Sequence, residues 1–157
     1  MSSSVSRCGC GARRDGSGHE GLMKLRDVPI LTEAVLLLGL AAFCLAFVPF
    51  RHVAKHGVRT GGRPAQTRDE IMPVRRAVRR AARNVPWRAL CFEQGLAAHA
   101  MLRRRGISSV LHYGVAREGD EQRGLKAHVW VTSGDQMVVG GEVAGQFTEL
   151  ARFSGTA

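Results

Sequence analysis

Polar and apolar positions change their rhythm several times along this chain. Residues 1–22 (MSSSVSRCGCGARRDGSGHEGL) have no apolar period and are rich in Gly, Ser and Arg, the composition of a disordered tail. Residues 31–50 (LTEAVLLLGLAAFCLAFVPF) are almost continuously apolar and predict a helix, with Thr32 as its N-cap and Pro49 and Arg51 at its end. Gly and Pro in residues 57–66 read as a linker. Thr67 and Glu70 then stand at capping-box spacing, ahead of Ile71, Val74, Val78, Ala81 and Val85 at three- and four-residue intervals. That period predicts an amphipathic helix, with Pro73 expected to displace its start by a few residues. Asn84-Val85-Pro86 breaks it, and a further helix runs from near Cys91 to Arg105, stopped by Gly106. Arg103, Arg104 and Arg105 fall in its last turn, where cations complement the helix dipole.

From Ile107 the period becomes two. Residues 107–116 (ISSVLHYGVA) and 125–133 (LKAHVWVTS) predict strands either side of a polar turn, and Gly134-Asp135 leads into a third strand at 136–143. A short segment from Glu149 to Phe153 closes the chain. Helices followed by an antiparallel sheet make the expected fold class α+β. The expected organisation is a tail (1–22), an N-terminal apolar helix with its linker (23–66), and a core unit (67–157).

At 157 residues, with 45% hydrophobic and 23% charged positions, the chain is neither a disordered polyelectrolyte nor a polytopic membrane protein. Its formal charge of +10 implies attraction to something acidic and says nothing about fold. The uncharged run from Ala34 to Phe50 is about 17 residues, the bottom of the bilayer-spanning range. It reads as a buried helix, an interfacial helix or a single anchor. Arg51, Lys55 and Arg59, with His52 and His56, would suit an anionic membrane surface. The long preceding region with Asp27 and Glu33 fits a signal peptide poorly. Cys8, Cys10, Cys44 and Cys91 show no pairing pattern, so a reducing, cytoplasmic location is expected. Cys8, Cys10 and His19 fall short of a four-ligand zinc site, and no metal is expected.

Two residues carry the candidate chemistry. Cys91 opens a helix, where unpaired N–H groups and the dipole favour the thiolate over a thiol of pKa about 8.5. His128 lies mid-strand in Ala127-His128-Val129-Trp130-Val131. A helix-borne Cys facing a strand-borne His is the arrangement of papain-like and transglutaminase-like acyl-transfer enzymes. The plainer reading is a buried structural Cys and a satisfied core His. Arg75, Arg76, Arg79, Arg80 and Arg83 line one helix face, either as a solvated surface or as a docking face for an acidic partner. Trp87 is the one nearby aromatic for stacking a base, so no nucleic-acid partner is expected.

The C-terminal half resembles the B proteins of lasso-peptide biosynthesis, the leader peptidases. The resemblance runs through Val85-Pro86-Trp87-Arg88-Ala89-Leu90-Cys91, Glu93-Gln94-Gly95-Leu96-Ala97 and Met101-Leu102-Arg103-Arg104-Arg105-Gly106-Ile107. It continues in Leu111-His112-Tyr113-Gly114-Val115-Ala116, Ala127-His128-Val129-Trp130-Val131, Val138-Val139-Gly140-Gly141 and Phe147-Thr148-Glu149-Leu150-Ala151-Arg152-Phe153. With the apolar helix ending at Pro49-Phe50-Arg51, it covers residues 23–153. It implies a transglutaminase-like, papain-like cysteine peptidase that removes a precursor's leader before a separate ATP-dependent cyclase closes the macrolactam. By carry-over, Cys91 is the nucleophile and His128 the proton shuttle. The Cys91 backbone N–H is an oxyanion donor, with a second from the Trp87–Leu90 segment. ATP dependence follows by resemblance only, since no phosphate-binding Gly-rich motif is present.

The sequence departs from that family at two points. The family's third residue, an Asp, falls near position 140, where this chain has Gly140 and Gly141. Asp135 sits at a turn tip seven residues from His128, roughly 20 Å away at 3.3 Å per residue. Glu142 is the nearest acid on the return strand and the candidate third member if register or a bulge allows, with a backbone carbonyl or water as the alternative. An Asp introduced at Gly140 is expected to restore the acid where the family has it, and to speed cleavage if Gly140 faces His128. The N-terminal region is also too short for a leader-binding domain, so a separate leader-binding protein is expected alongside the precursor leader and the cyclase. The rival readings are a non-catalytic scaffold of the same fold and a basic membrane-surface or nucleic-acid binding protein.

Overall fold

The computed structural model describes residues 27–48, 62–117 and 124–154. The expected tail with Cys8, Cys10 and His19, the basic run from Arg51 to Arg59, and the centre of the polar turn after Arg117 lie outside the described residues.

Helix α1 spans Val28–Phe47, and its N-cap Asp27 lies five residues before the expected cap, Thr32. Thr32 is therefore not a cap. Its hydroxyl donates back to the Val28 carbonyl (3.0 Å), and Pro29 occupies the first turn, where its missing N–H costs nothing. Ala34, Leu38 and Ala41 are the buried positions, one stripe at helical spacing, while Leu36, Leu40, Phe43 and Phe47 face outward.

The expected linker ends in structure. Arg63–Pro64 (β1) pairs in parallel with Ile107–Ser108 (β2), and Ser133 Oγ accepts from the Ala65 amide (2.8 Å) while donating to the Ser108 carbonyl (2.5 Å). Helix α2 (Arg68–Asn84) has Thr67 at its N-cap without a side-chain cap bond, and the Thr67 hydroxyl instead meets the Glu70 carboxylate at 3.5 Å. Pro73 lies inside α2 rather than displacing it; it falls on the exposed face, and the core side keeps Ile71, Val74, Ala77, Val78 and Ala81 buried. Helix α3 spans Cys91–Arg104.

The predicted strand at 107–116 divides at Ser109 into β2 and β3 (Val110–Arg117). Strands β4 (Leu125–Ser133), β5 (Gln136–Val139) and β6 (Thr148–Phe153) complete an antiparallel sheet of order β5-β4-β3-β6. Strand β5 is half its predicted length, because Gly140 adopts φ +77° and turns the chain out of the ladder. The three helices and this sheet confirm the α+β expectation.

Helices α2 and α3 cover one face of the sheet. Leu38, Ile71, Val74, Val78, Met101, Leu102, Leu111, Val129, Val131 and Val138 form a continuous core between them. At about 1.5–3 kcal/mol for each large aliphatic side chain fully buried, this cluster outweighs any surface pair. An ion-pair set joins α1 to the end of α3: Glu33 meets Arg105 at 2.7 Å and Arg104 at 3.3 Å.

Candidate active site

Cys91 is the first residue of α3, half-buried, at the end of the helix whose backbone N–H groups have no intrahelical acceptor. The segment before it is braced from inside the helix, since Gln94 Nε2 donates to the Ala89 carbonyl (2.8 Å) and the Gln94 amide to Leu90 (3.1 Å). This fixes the approach of the chain to Cys91. Anions are favoured here by the dipole, which suits a thiolate or a developing oxyanion.

Helix α3 lies on the half of β4 that carries His128. The Phe92 ring meets Tyr113, the cross-strand partner of Val129, with centroids 5.8 Å apart. Gly95, one turn beyond Cys91, abuts Val129 so closely that a Cβ there would stand 2.8 Å from Val129 Cγ1. Val129 is the residue next to His128, and strand alternation sends His128 and Trp130 to the other side of the pleat. Strand β5 pairs with β4 only over Val131–Ser133, so among the described residues that edge of β4 has no strand partner at His128.

The imidazole is 3% exposed and makes one hydrogen bond: Nε2 lies 2.7 Å from the Gly140 carbonyl oxygen. A carbonyl can only accept, so Nε2 carries the proton and the neutral ring has its lone pair on Nδ1. Nδ1 is buried and has no hydrogen-bond partner among the described residues. Phe147 (centroid 4.9 Å) and Trp130 (6.1 Å) wall the ring. This is a histidine of defined tautomer whose basic nitrogen is unused by the fold.

Glu142 does not orient it. Its carboxylate is bound by Arg79 (2.6 Å) and Arg75 (3.2 Å) of α2, because the turn at Gly140 carries the chain away from β4 before Glu142 is reached. The Gly140 carbonyl, the alternative left open by the sequence, takes the orienting place. Nor could an Asp at 140 restore the acid: φ is +77°, and a Cβ would lie 2.5 Å from the Val129 carbonyl oxygen and 3.0 Å from Trp130 Cα. Asp135 is exposed at the hairpin tip, as strand geometry required.

The five arginines of α2 separate into two groups. Arg75 and Arg79 hold Glu142, and Arg75 also donates to the Met137 carbonyl (3.2 Å), fastening α2 to β5 and the turn after it. Arg76, Arg80 and Arg83 are exposed and form the remaining basic face. Phe147 and Trp130, the walls of the imidazole, are not among the residues expected from sequence. The signal for Trp130 was its i+2 spacing from His128, which puts both rings on one face of a strand.

No curated protein and no solved structure matches the chain. A family model described as "Transglutaminase-like superfamily" matches residues 34–152, from α1 through β6. That span contains both the helix-borne cysteine and the strand-borne histidine and covers most of the chain, which belongs to the transglutaminase-like superfamily, a group that includes cysteine peptidases.

Proposed function

We propose that this protein is a cysteine peptidase that removes the leader from a lasso-peptide precursor. The observation that carries the reading is the state of His128: Nε2–H held on the Gly140 carbonyl, and Nδ1 buried with no hydrogen-bond partner among the described residues, on the strand against which the Cys91 helix packs.

In the proposed reaction the Cys91 Sγ proton passes to His128 Nδ1 and the thiolate attacks the scissile carbonyl carbon. Thiol and imidazole would meet at the edge of β4 that β5 leaves open. The tetrahedral oxyanion accepts from the Cys91 backbone N–H and from an N–H of the Trp87–Leu90 segment. Collapse breaks the C–N bond; the leaving amine, the new N-terminus of the core, takes the proton from Nδ1. Water then cleaves the thioester with Nδ1 as base, releasing the leader as an acid and restoring the thiol. Gly140 orients the ring, but a carbonyl lacks the full charge of a carboxylate. Stabilisation of the imidazolium is correspondingly smaller, which the intrinsic nucleophilicity of sulfur tolerates better than an alcohol would. A separate leader-binding protein and an ATP-dependent cyclase are the partners proposed from the resemblance, with Arg76, Arg80 and Arg83 as the docking face on this chain.

The test is cleavage of a lasso precursor, followed by mass spectrometry, with the leader-binding partner supplied in trans. Wild type should release leader and core, and Cys91→Ala and His128→Ala should each leave precursor intact while the protein remains folded, as judged by circular dichroism. Full product formation by folded Cys91→Ala protein would identify the chain as a scaffold instead.

A further inference from the structure

The face of the sheet turned away from α3 carries an aromatic stack that neither the fold nor the proposed chemistry explains by itself. Trp130 lies between two imidazoles: His112, parallel to it within 1° at a centroid distance of 5.3 Å, and His128, at 22° and 6.1 Å. His112 is opposite Trp130 across β3 and β4, and Gly114 is opposite His128. The indole occupies the space a side chain at 114 would need, since a Cβ there would stand 2.8 Å from the ring. His112 is in turn fixed at both nitrogens. Nδ1 is 3.2 Å from Glu149 Oε2 and Nε2 is 2.9 Å from Thr132 Oγ1.

Arg152, and secondly His112, hold the Glu149 carboxyl below its ordinary range, so it is an acceptor at neutral pH. Nδ1 of His112 must then be the donor, and in the neutral ring Nε2 accepts from the Thr132 hydroxyl. Among the described residues, the charged and titratable groups facing His112 are Glu149 and Arg152 from β6, with His128 beyond the indole on β4. The ring is held flat by hydrogen bonds at both ends, while His128 has a single hydrogen bond of its own.

We infer that His112 is a positioning residue for His128, acting through Trp130: pinned by Glu149 and Thr132, it fixes the indole, and the indole fixes the plane in which the His128 imidazole meets the Gly140 carbonyl. An acidic third residue would hold its histidine directly. Here an aromatic stack supplies the second restraint. The inference rests on reading His128 as the base of the proposed peptidase.

The experiment is ring ¹⁵N NMR on ¹⁵N-histidine protein, with the His128 and His99 signals assigned from His128→Ala and His99→Gln. Wild-type His128 should show a single Nε2–H tautomer. In His112→Ala it should become a mixture of tautomers, while His99, buried on α3 and hydrogen-bonded to Ser109, keeps its signals. His112→Phe, which keeps a flat ring on Trp130, should recover most of the wild-type His128 signal. With precursor as substrate, His112→Ala should lower kcat about tenfold and leave KM unchanged, a fraction of the full general-base contribution. An unchanged His128 spectrum in His112→Ala, or equal disturbance of His99 and His128, overturns the inference. Should His112→Ala not fold, His112→Phe against Thr132→Val decides by the same criterion, with the unpinned ring of Thr132→Val expected to disturb His128 more. If wild type cleaves no precursor, the peptidase reading fails, and the tautomer comparison still decides whether His112 positions His128.

Discussion

His128 uses one nitrogen for structure and keeps the other available, and the two can be probed separately. Removing the ring should shift the pH dependence of Cys91 alkylation by iodoacetamide toward higher pH, because the thiol loses its proton acceptor. A His128→Ala profile superimposed on that of wild type would show that the two side chains do not communicate. Gly140→Asp, attractive from sequence, should destabilise the protein by about 1–3 kcal/mol, since a side chain at positive φ meets the Val129 carbonyl and Trp130. Denaturant titration measures this, and Gly140→Ala should show most of the same loss, because the obstacle is the Cβ and not the carboxylate. Glu142→Gln should weaken the attachment of α2 to the turn after β5 while leaving the imidazole tautomer unchanged.

At the scale of the element, α1 shows what a uniformly apolar sequence conceals. No polar face marks which side is buried, so periodicity could not choose between a packed and an exposed stripe; only the tertiary partners α2 and α3 decide it. Leu38 is fully buried and Leu40 is 56% exposed, two residues apart on the same helix. Leu38→Ala should therefore cost about 2–5 kcal/mol and Leu40→Ala less than about 0.5 kcal/mol, measured by urea unfolding. The period of α2, by contrast, read directly: Ile71, Val74, Val78 and Ala81 are all buried. Strand β5 was over-read because its apolar alternation gives no notice that Gly140 turns at positive φ. For the same reason Glu142 was a candidate on paper: strand register carries it towards His128 only if the strand continues. The helix start at Cys91 and the mid-strand place of His128 were legible because both are local properties. The Gly140 carbonyl as the chosen acceptor was not, since backbone groups leave no mark on residue identity.

For the whole molecule, the charge of +10 is unevenly committed. Arg75 and Arg79 serve Glu142, Arg104 and Arg105 serve Glu33, and Arg152 serves Glu149. Arg76, Arg80 and Arg83 stay on the surface, so their joint replacement by Gln should leave the melting temperature nearly unchanged and weaken any acidic partner in a salt-dependent way. The internal pairs predict the acid response. Glu33 is held below the usual carboxylate range, chiefly by the Arg105 hydrogen bond and then by the charges of Arg105 and Arg104. A depressed folded value means that its contribution is present above the unfolded pKa of about 4.3 and is lost as pH falls through the folded one. The difference in melting temperature between wild type and Glu33→Gln should thus be largest near neutrality and close below about pH 4. A constant gap across that range would mean that the ion pairs do not tie α1 to α3.

The outward flank of α1 leaves Leu36 67% and Phe47 72% exposed, so any partner that covered it would raise the stability of the folded chain. Whatever covers that flank binds the folded chain and has no equivalent site on the unfolded one, so by mass action it adds RT ln(1 + [L]/Kd) to the unfolding free energy. An occupant at a hundredfold excess over its Kd would contribute about 2.7 kcal/mol, a substantial share of a typical domain's margin. The melting temperature is then a property of a solution and not of a sequence: it should climb with protein concentration or with mild detergent, and settle once Leu36, Leu40, Phe43 and Phe47 are made polar.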